Sequence, residues 1–376
     1  MTPHWQGSVT THAVTALMLA MILAVSGCAA GGPSWIRGEN PAYPSARFLT
    51  GVGQGDSKAT ATERAYGAVA KVFHSEVTAQ SRDWESFWVL EKRGQSNTER
   101  KLSLEQITNV STDKVLENVT VLDTWIDPKT RQHYALAGMD RAQAETAMLE
   151  RLRELDQAVD SELEEARQTS DKLARVRNLR RAIKNLVLRE AHNADLRVIR
   201  TSGQGSPASH RVADLTTELE RFLSTNLHIT VEVAGDQADA TRRAVSEGLI
   251  REGLPVVGHM TEAGPNGAAQ PAPDLFVRGA VQLWEVPVPD PLFRYARWCS
   301  DFTIMEPGSE RMIGAVSIGG REGHVTSAEA MSRAFRVMQQ ELTSHLAKTL
   351  AAYIYGEAAP PAARPPAACP ASDKRR

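Results

Sequence analysis

The chain has 376 residues, with 43 Lys and Arg against 45 Asp and Glu and a formal net charge of -2. That length suits two or three domains, and the near-neutral balance excludes a global pull toward nucleic acid or anionic lipid. Hydrophobic residues make up 42% and aromatic residues 6%, an ordinary soluble composition with few rings for stacking bases.

The long apolar run lies at the N-terminus, from Ala13 to Val25. It has the length of a signal-peptide core and is too short to span a bilayer. Small residues Ser26 and Gly27 follow, then Cys28. Val25-Ser26-Gly27-Cys28 resembles a bacterial lipobox, in which small side chains fit a narrow peptidase cleft and the cysteine thiol takes the lipid. The resemblance implies a signal peptide over 1–27, cleavage between Gly27 and Cys28, and a fatty acyl anchor such as palmitate on Cys28. One departure is that residues 1–12 contain no Lys or Arg.

Residues 28–45 are rich in Gly, Pro and Ser and read as a flexible tether. Ala29 is not the acidic residue that retains many lipoproteins at the inner membrane, so the expected location is the outer membrane, facing the periplasm, with surface exposure left open. An oxidising compartment permits a bridge between Cys299 and Cys369. Cys299, beside Trp298 in a strand pattern, reads instead as a small buried hydrophobe. Cys369 lies in a Pro/Ala-rich tail over 357–376 that reads as disordered. Their pairing stays open.

The first globular region spans 46–139. Arg47 to Thr50 reads as a strand, Gly51-Val-Gly53-Gln-Gly55 as a tight turn, and Asp56-Ser57 as the cap of an Ala-rich helix. Val77 to Lys92, with Trp84, Phe87 and Trp88, reads as a strand. Glu117–Ile126 and Gln132–Met139 pair around the turn Asp127-Pro128-Lys129-Thr130.

The second region, 140–200, is helical. Leu149, Leu152, Leu155, Val159 and Leu163 recur at three- and four-residue steps, as do Leu173, Val176, Leu179, Ile183, Leu186 and Val187. Thr169-Ser170-Asp171 interrupts them with an N-cap. Glu154 to Glu165 is acidic and Lys172 to Arg189 basic, so an antiparallel hairpin would set the two blocks side by side.

The third region, 210–356, follows a Gly/Ser/Pro break. A helix over Ala213–Leu223, a strand over His228–Val233, a helix over Ala238–Arg251 and a short strand near Pro255–Val257 come first. Strands over 274–286, 294–305 and 312–319 and a long amphipathic helix from Ser327 to Tyr355 complete it. The order implies a helical layer on one sheet. The whole is therefore α+β, two small α+β domains joined by a long antiparallel helical hairpin.

Chemistry is sparse. Gly51 to Gly55 matches neither G-x-G-x-x-G nor a Walker loop, and Asp56 and Glu63 place negative charge where a phosphate would bind. The ten histidines show no H-x-H or H-E-x-x-H spacing. Arg321-Glu322-Gly323-His324 is the densest polar group and reads as a strand end, and His133 and Tyr134 read as packing residues. Ser111-Thr-Asp-Lys114 is an S-x-x-K string without the S-D-N and K-T-G partners of penicillin-binding proteins. The expectation is a non-enzyme with no catalytic, cofactor or metal residues.

Phe48-Leu-Thr-Gly-Val-Gly-Gln-Gly55, Leu116 to Trp125, Asp127-Pro128 and Tyr134-Ala-Leu-Ala137 resemble the LPP-twenty family of bacterial lipoproteins. The resemblance implies an envelope lipoprotein without catalytic residues; a related fold occurs in a flagellar assembly protein. More weakly, the order of elements in the third region, with Ala280-Val-Gln-Leu283, resembles lipoprotein activators of peptidoglycan synthases and TolB-like domains, implying a periplasmic protein partner. The expected function is a lipid-anchored, non-catalytic binding or assembly factor, held to the membrane through acylated Cys28, with an envelope protein partner and no nucleic acid. The alternatives are an envelope-polymer hydrolase and a flagellum-associated lipoprotein.

Overall fold

The computed structural model describes residues 32–80, 107–109, 113, 115–257, 272–289, 292–309, 311–359 and 369. Gly27 and Cys28 lie outside these residues, as do Trp84, Phe87, Trp88, most of the Ser111–Lys114 string and most of the tail. The chain is α+β with two sheets. It divides into two compact units, Met1–Val72 with Leu116–Gln143, and Phe73–Val115 with Ala144–Arg376.

In the first unit, strands β1 (Phe48–Gly55), β2 (Thr120–Ile126) and β3 (His133–Asp140) form an antiparallel sheet in the order β1-β3-β2. Helix α1 (Lys58–Gln80) follows β1, and the Ser57 hydroxyl accepts the Thr60 N–H at 3.2 Å. The glycines expected to make a turn belong to β1 itself. A Cβ on Gly53 would stand 2.1 Å from the Ala61 carbonyl oxygen and 2.3 Å from the Ala65 nitrogen. One on Gly51 would stand 2.8 Å from the Ala65 carbonyl oxygen. Gly51, Gly53 and Gly55 thus form one bare strand face onto which the helix backbone packs directly.

Two further expectations change. Residues 77–80, read as the start of a strand, continue α1; Val69, Phe73 and Val77 keep a four-residue period and are all buried. The described part of the predicted tether is packed. Trp35, 5% exposed, sits in a short 3₁₀ turn, Ser34–Arg37, and its indole N–H donates to Asp123 Oδ2 at 2.8 Å. A buried indole N–H usually finds such a partner. The Tyr43 hydroxyl likewise donates to the Leu122 carbonyl at 3.3 Å.

Helices α2 (Arg141–Gln168) and α3 (Lys172–Ile199) come next, separated by Thr169-Ser170-Asp171. Asp171 caps α3, its carboxylate accepting the N–H groups of Leu173 and Ala174 at 2.8 and 3.2 Å. The acidic and basic blocks meet through Glu162–Arg181 at 2.7 Å and Asp156–Arg189 at 3.0 Å. Arg200 reaches Glu145 at 2.8 Å, so partners rise along one helix as they fall along the other.

The rest of the second unit runs α4 (Val212–Asn226), β4 (Ile229–Gly235), α5 (Ala238–Arg251), β5 (Leu275–Val286), β6 (Arg294–Glu306), β7 (Arg311–His324) and α6 (Ser327–Glu341). A π turn, Leu342–Leu346, links α6 to α7 (Ala347–Tyr355). The sheet order is β4-β5-β6-β7, with β4 parallel to β5 and the other pairs antiparallel. The strand expected near Pro255–Val257 reduces to a bridge from Val256 to Ile229. One apolar cluster joins the inner sheet positions Val277, Trp298, Phe302 and Ile304 to Ala334, Met338, Leu346, Leu350 and Ile354.

Candidate binding surface

The two faces of the four-stranded sheet differ in kind. A Cβ on Gly279 would meet the Phe302 ring at 2.3 Å, one on Gly320 the Trp298 Nε1 at 2.6 Å, and one on Gly314 the Tyr353 ring of α7 at 2.4 Å. These positions therefore share the helix-covered face with buried Trp298 and Phe302. Alternation along each strand sends Trp284, Arg297, Cys299 and Arg321 to the opposite face.

Register arranges that face in rows. Trp284 on β5 pairs with Arg297 on β6, which pairs with Arg321 on β7. The next row outward is Val286, Tyr295 and Gly323, and the next inward is Gln282, Cys299 and Gly319. Arg297 and Arg321 are exposed, and among the described residues neither pairs with a carboxylate. Arg321 instead places its guanidinium carbon 5.1 Å from the centre of the Tyr295 ring. Like charges directly opposed on neighbouring strands are destabilising. Farther along β5, Arg278 has the ordinary solution, an ion pair with Glu232 at 2.7 Å.

The same face carries the disulfide Cys299–Cys369, with its Cα atoms 5.1 Å apart. Cys299 is therefore bridged rather than a free buried thiol, and Cys369 is fixed rather than part of a disordered stretch. The Cys369 N–H donates to Asp301 Oδ2 at 3.1 Å, on the same side of β6 as Cys299.

Two clefts in the second unit hold polar groups. The first, about 460 Å³, is lined by Asp171, Lys172, Asp274, Glu306 and Ser309 among others. Its carboxylates are engaged: Asp171 caps α3. Asp274 accepts the Lys172 ammonium at 2.8 Å and the His228 backbone N–H at 2.8 Å. Glu306 meets the Ser309 hydroxyl and, at 3.6 Å, Arg311. The second cleft, about 420 Å³, opens beside Asn193, Arg197, Ser206 and Arg211. Beneath it the fully buried Arg189 donates to Asp156, Glu190 and the carbonyls of Ser206 and Pro207. Among the described residues no three His, Cys, Asp or Glu side chains gather as metal donors, and no helix is long and apolar enough to cross a membrane.

The polar group at Arg321–His324 is split by the strand. Arg321 faces outward, whereas Glu322 pairs with Arg333 at 3.0 Å and His324 Nδ1 lies 2.6 Å from Glu329. His133 and Tyr134 lie on β3, with the Tyr134 ring 5.5 Å from that of Trp125. Cys28 and Gly27, the sites of the expected lipidation and cleavage, fall outside the described residues. Sequence reading did not single out Trp284 or Arg297. The signal lay in the alternation of β5 and β6, and only cross-strand register brings the two residues side by side.

Residues 33–140 match the model of the LPP20 lipoprotein family, the LPP-twenty resemblance of the N-terminal region. No curated protein matches the chain. Among solved structures, the chain is similar to a minor lipoprotein of Acinetobacter baumannii at 10% identity, over 35% of this chain and 95% of that one, with a TM-score of 0.25. It is similar to a secreted protein of Helicobacter pylori at 12% identity, over 78% and 97%, with a TM-score of 0.34. Similarity to the rare lipoprotein B of Shewanella oneidensis is 16% identity over 35% and 92%, with a TM-score of 0.22.

Proposed function

We propose that the chain is an envelope lipoprotein, cleaved between Gly27 and Cys28, acylated on Cys28 and held at the outer membrane facing the periplasm. The observation that carries this reading is the match of residues 33–140 to a lipoprotein family, directly behind a lipobox ending at Cys28. A diacylated cysteine adds about 0.8 kcal/mol of membrane affinity per buried methylene, and two acyl chains hold a protein that one would release. No helix need enter the bilayer under this arrangement.

At the membrane the protein acts without catalysis, as a binding or assembly factor. The engagement of Asp171, Asp274 and Glu306 supports that reading, because acid–base work needs a carboxylate free to take and return a proton. The surface it offers a partner is the sheet face bearing Trp284, Arg297 and Arg321.

The deciding experiment is intact-mass measurement of the mature N-terminus from isolated envelopes, for wild type and Cys28→Ser. A diacylglyceryl-modified Cys28, lost in the variant together with membrane fractionation, is the expected result. An unmodified N-terminus on a membrane-free chain would overturn the anchor.

A further inference from the structure

We infer that the Trp284–Arg297–Arg321 row is the docking site for a carboxylate-bearing glycan, the chemistry of the bacterial wall polymer. The inference rests on the reading of the chain as an envelope protein. Arg297 and Arg321 are opposed on adjacent strands, both exposed and without an ion partner among the described residues. Such a pair weakens the sheet unless an anion lies between the two heads. A guanidinium fork matches the flat geometry of a carboxylate, and each such bond is stronger than a neutral one.

The neighbours of the pair select among anions. Trp284 stands beside Arg297, and the Tyr295 ring lies one row farther out. The flat Trp284 ring beside Arg297 suits a ligand that alternates apolar ring faces with carboxylates, as a glycan with acidic substituents does. The Tyr295 ring lies over Gly323, and the buried Cys299–Cys369 bridge bounds the strip on its inward side, so a ligand meets the Trp284–Arg297–Arg321 row itself. Membrane-surface binding instead draws on clusters of four to eight cations, and this strip has two. Protein hot spots draw on the same Trp, Tyr and Arg, so a protein partner in place of the glycan is an outcome that the sacculus test decides.

The test mixes the mature, lipidated full-length protein in mild detergent with purified wall sacculi stripped of bound protein, then measures co-sedimentation at low and physiological salt. Wild type is expected in the pellet, with weaker binding as salt rises. Arg297→Gln with Arg321→Gln should raise the apparent Kd about tenfold or more. Arg243→Gln, which removes an exposed cation on α5, should leave it unchanged. Because the double variant could alter the fold, soluble muramyl-peptide fragments are also titrated as competitors against unmodified protein, and they should displace it.

Failure of wild type to sediment, equal loss in the Arg243 control, or no competition by the fragments would each overturn the inference. Capture by phosphatidylglycerol vesicles in place of sacculi would overturn it too, and reassign the arginines to lipid headgroups. Parallel fractionation separates the levels: protein recovered in envelopes but not on sacculi defeats the glycan alone, and protein absent from envelopes defeats the envelope reading.

Discussion

Arg189 and Asp156 join α3 to α2 by a bond of 3.0 Å from a guanidinium that is completely buried. The remaining donors of Arg189 go to Glu190 and two backbone carbonyls, so the head is fully engaged without water. Removing one partner of a buried pair costs about 3–5 kcal/mol. Asp156 is about a third exposed and Glu190 stays, so Asp156→Ala should cost about 2 kcal/mol by urea unfolding. Glu162→Ala, whose partner Arg181 is half exposed, should cost less than about 1 kcal/mol. Equal losses would show that burial does not rank these pairs.

The glycine face of β1 makes a sharper test. Gly53→Ala drives a methyl into the backbone of α1, which cannot rotate away, and should destabilise by about 3 kcal/mol or prevent folding. Gly67, inside α1, has nothing within 4 Å of an added Cβ. Gly67→Ala should therefore stabilise by about 1 kcal/mol through helix propensity. Thermal melts of the two variants should move in opposite directions.

Glu357 predicts an acid dependence. Burial raises its pKa, but Arg180 at 3.1 Å and Lys184 at 2.7 Å outweigh that and hold it below the ordinary glutamate value. A carboxylate with a lowered folded pKa contributes stability that is complete above the unfolded value and is lost as pH falls through the folded one. Unfolding followed across the acid range should lose this contribution below the usual glutamate pKa, and Glu357→Gln should flatten that part of the curve. An unchanged acid limb in the variant would remove Glu357 from the account.

The Cys299–Cys369 bridge closes a separation of 70 residues. Chain-entropy reasoning gives such a loop about 4 kcal/mol, with typical measured effects of about 2–4. Cys369→Ser should lower Tm, and a reductant should lower the wild type to match while leaving the variant unmoved. A reductant effect persisting in Cys369→Ser would point to another oxidisable group.

Much of the second unit was legible because period and punctuation agreed. The sequence predicts the helix over Ala238–Arg251 to the residue, and of the three residues Thr169-Ser170-Asp171 that offer a cap, Asp171 is the one that caps α3. The first unit misled at Gly51–Gly55, where three glycines signal a turn locally but answer to a helix lying across a strand. Trp35 reads as tether because Gly and Pro dominate its neighbours, yet its indole on Asp123 and the Tyr43 hydroxyl on Leu122 pack the segment against β2. The candidate surface was the least legible part. Arg297 and Arg321 are far apart in sequence and ordinary alone; their opposition is a property of strand register.

The bridge also settles the accounting of sulfur. The sequence has three cysteines, and two of them are joined to each other. Cys28 is thus the one site at which a thiol-reactive reporter can act on the oxidised chain, and acylation would close it. Labelling of denatured, unreduced protein becomes a maturation clock: signal for the precursor, silence once the anchor is in place, and two new equivalents only after the bridge is reduced.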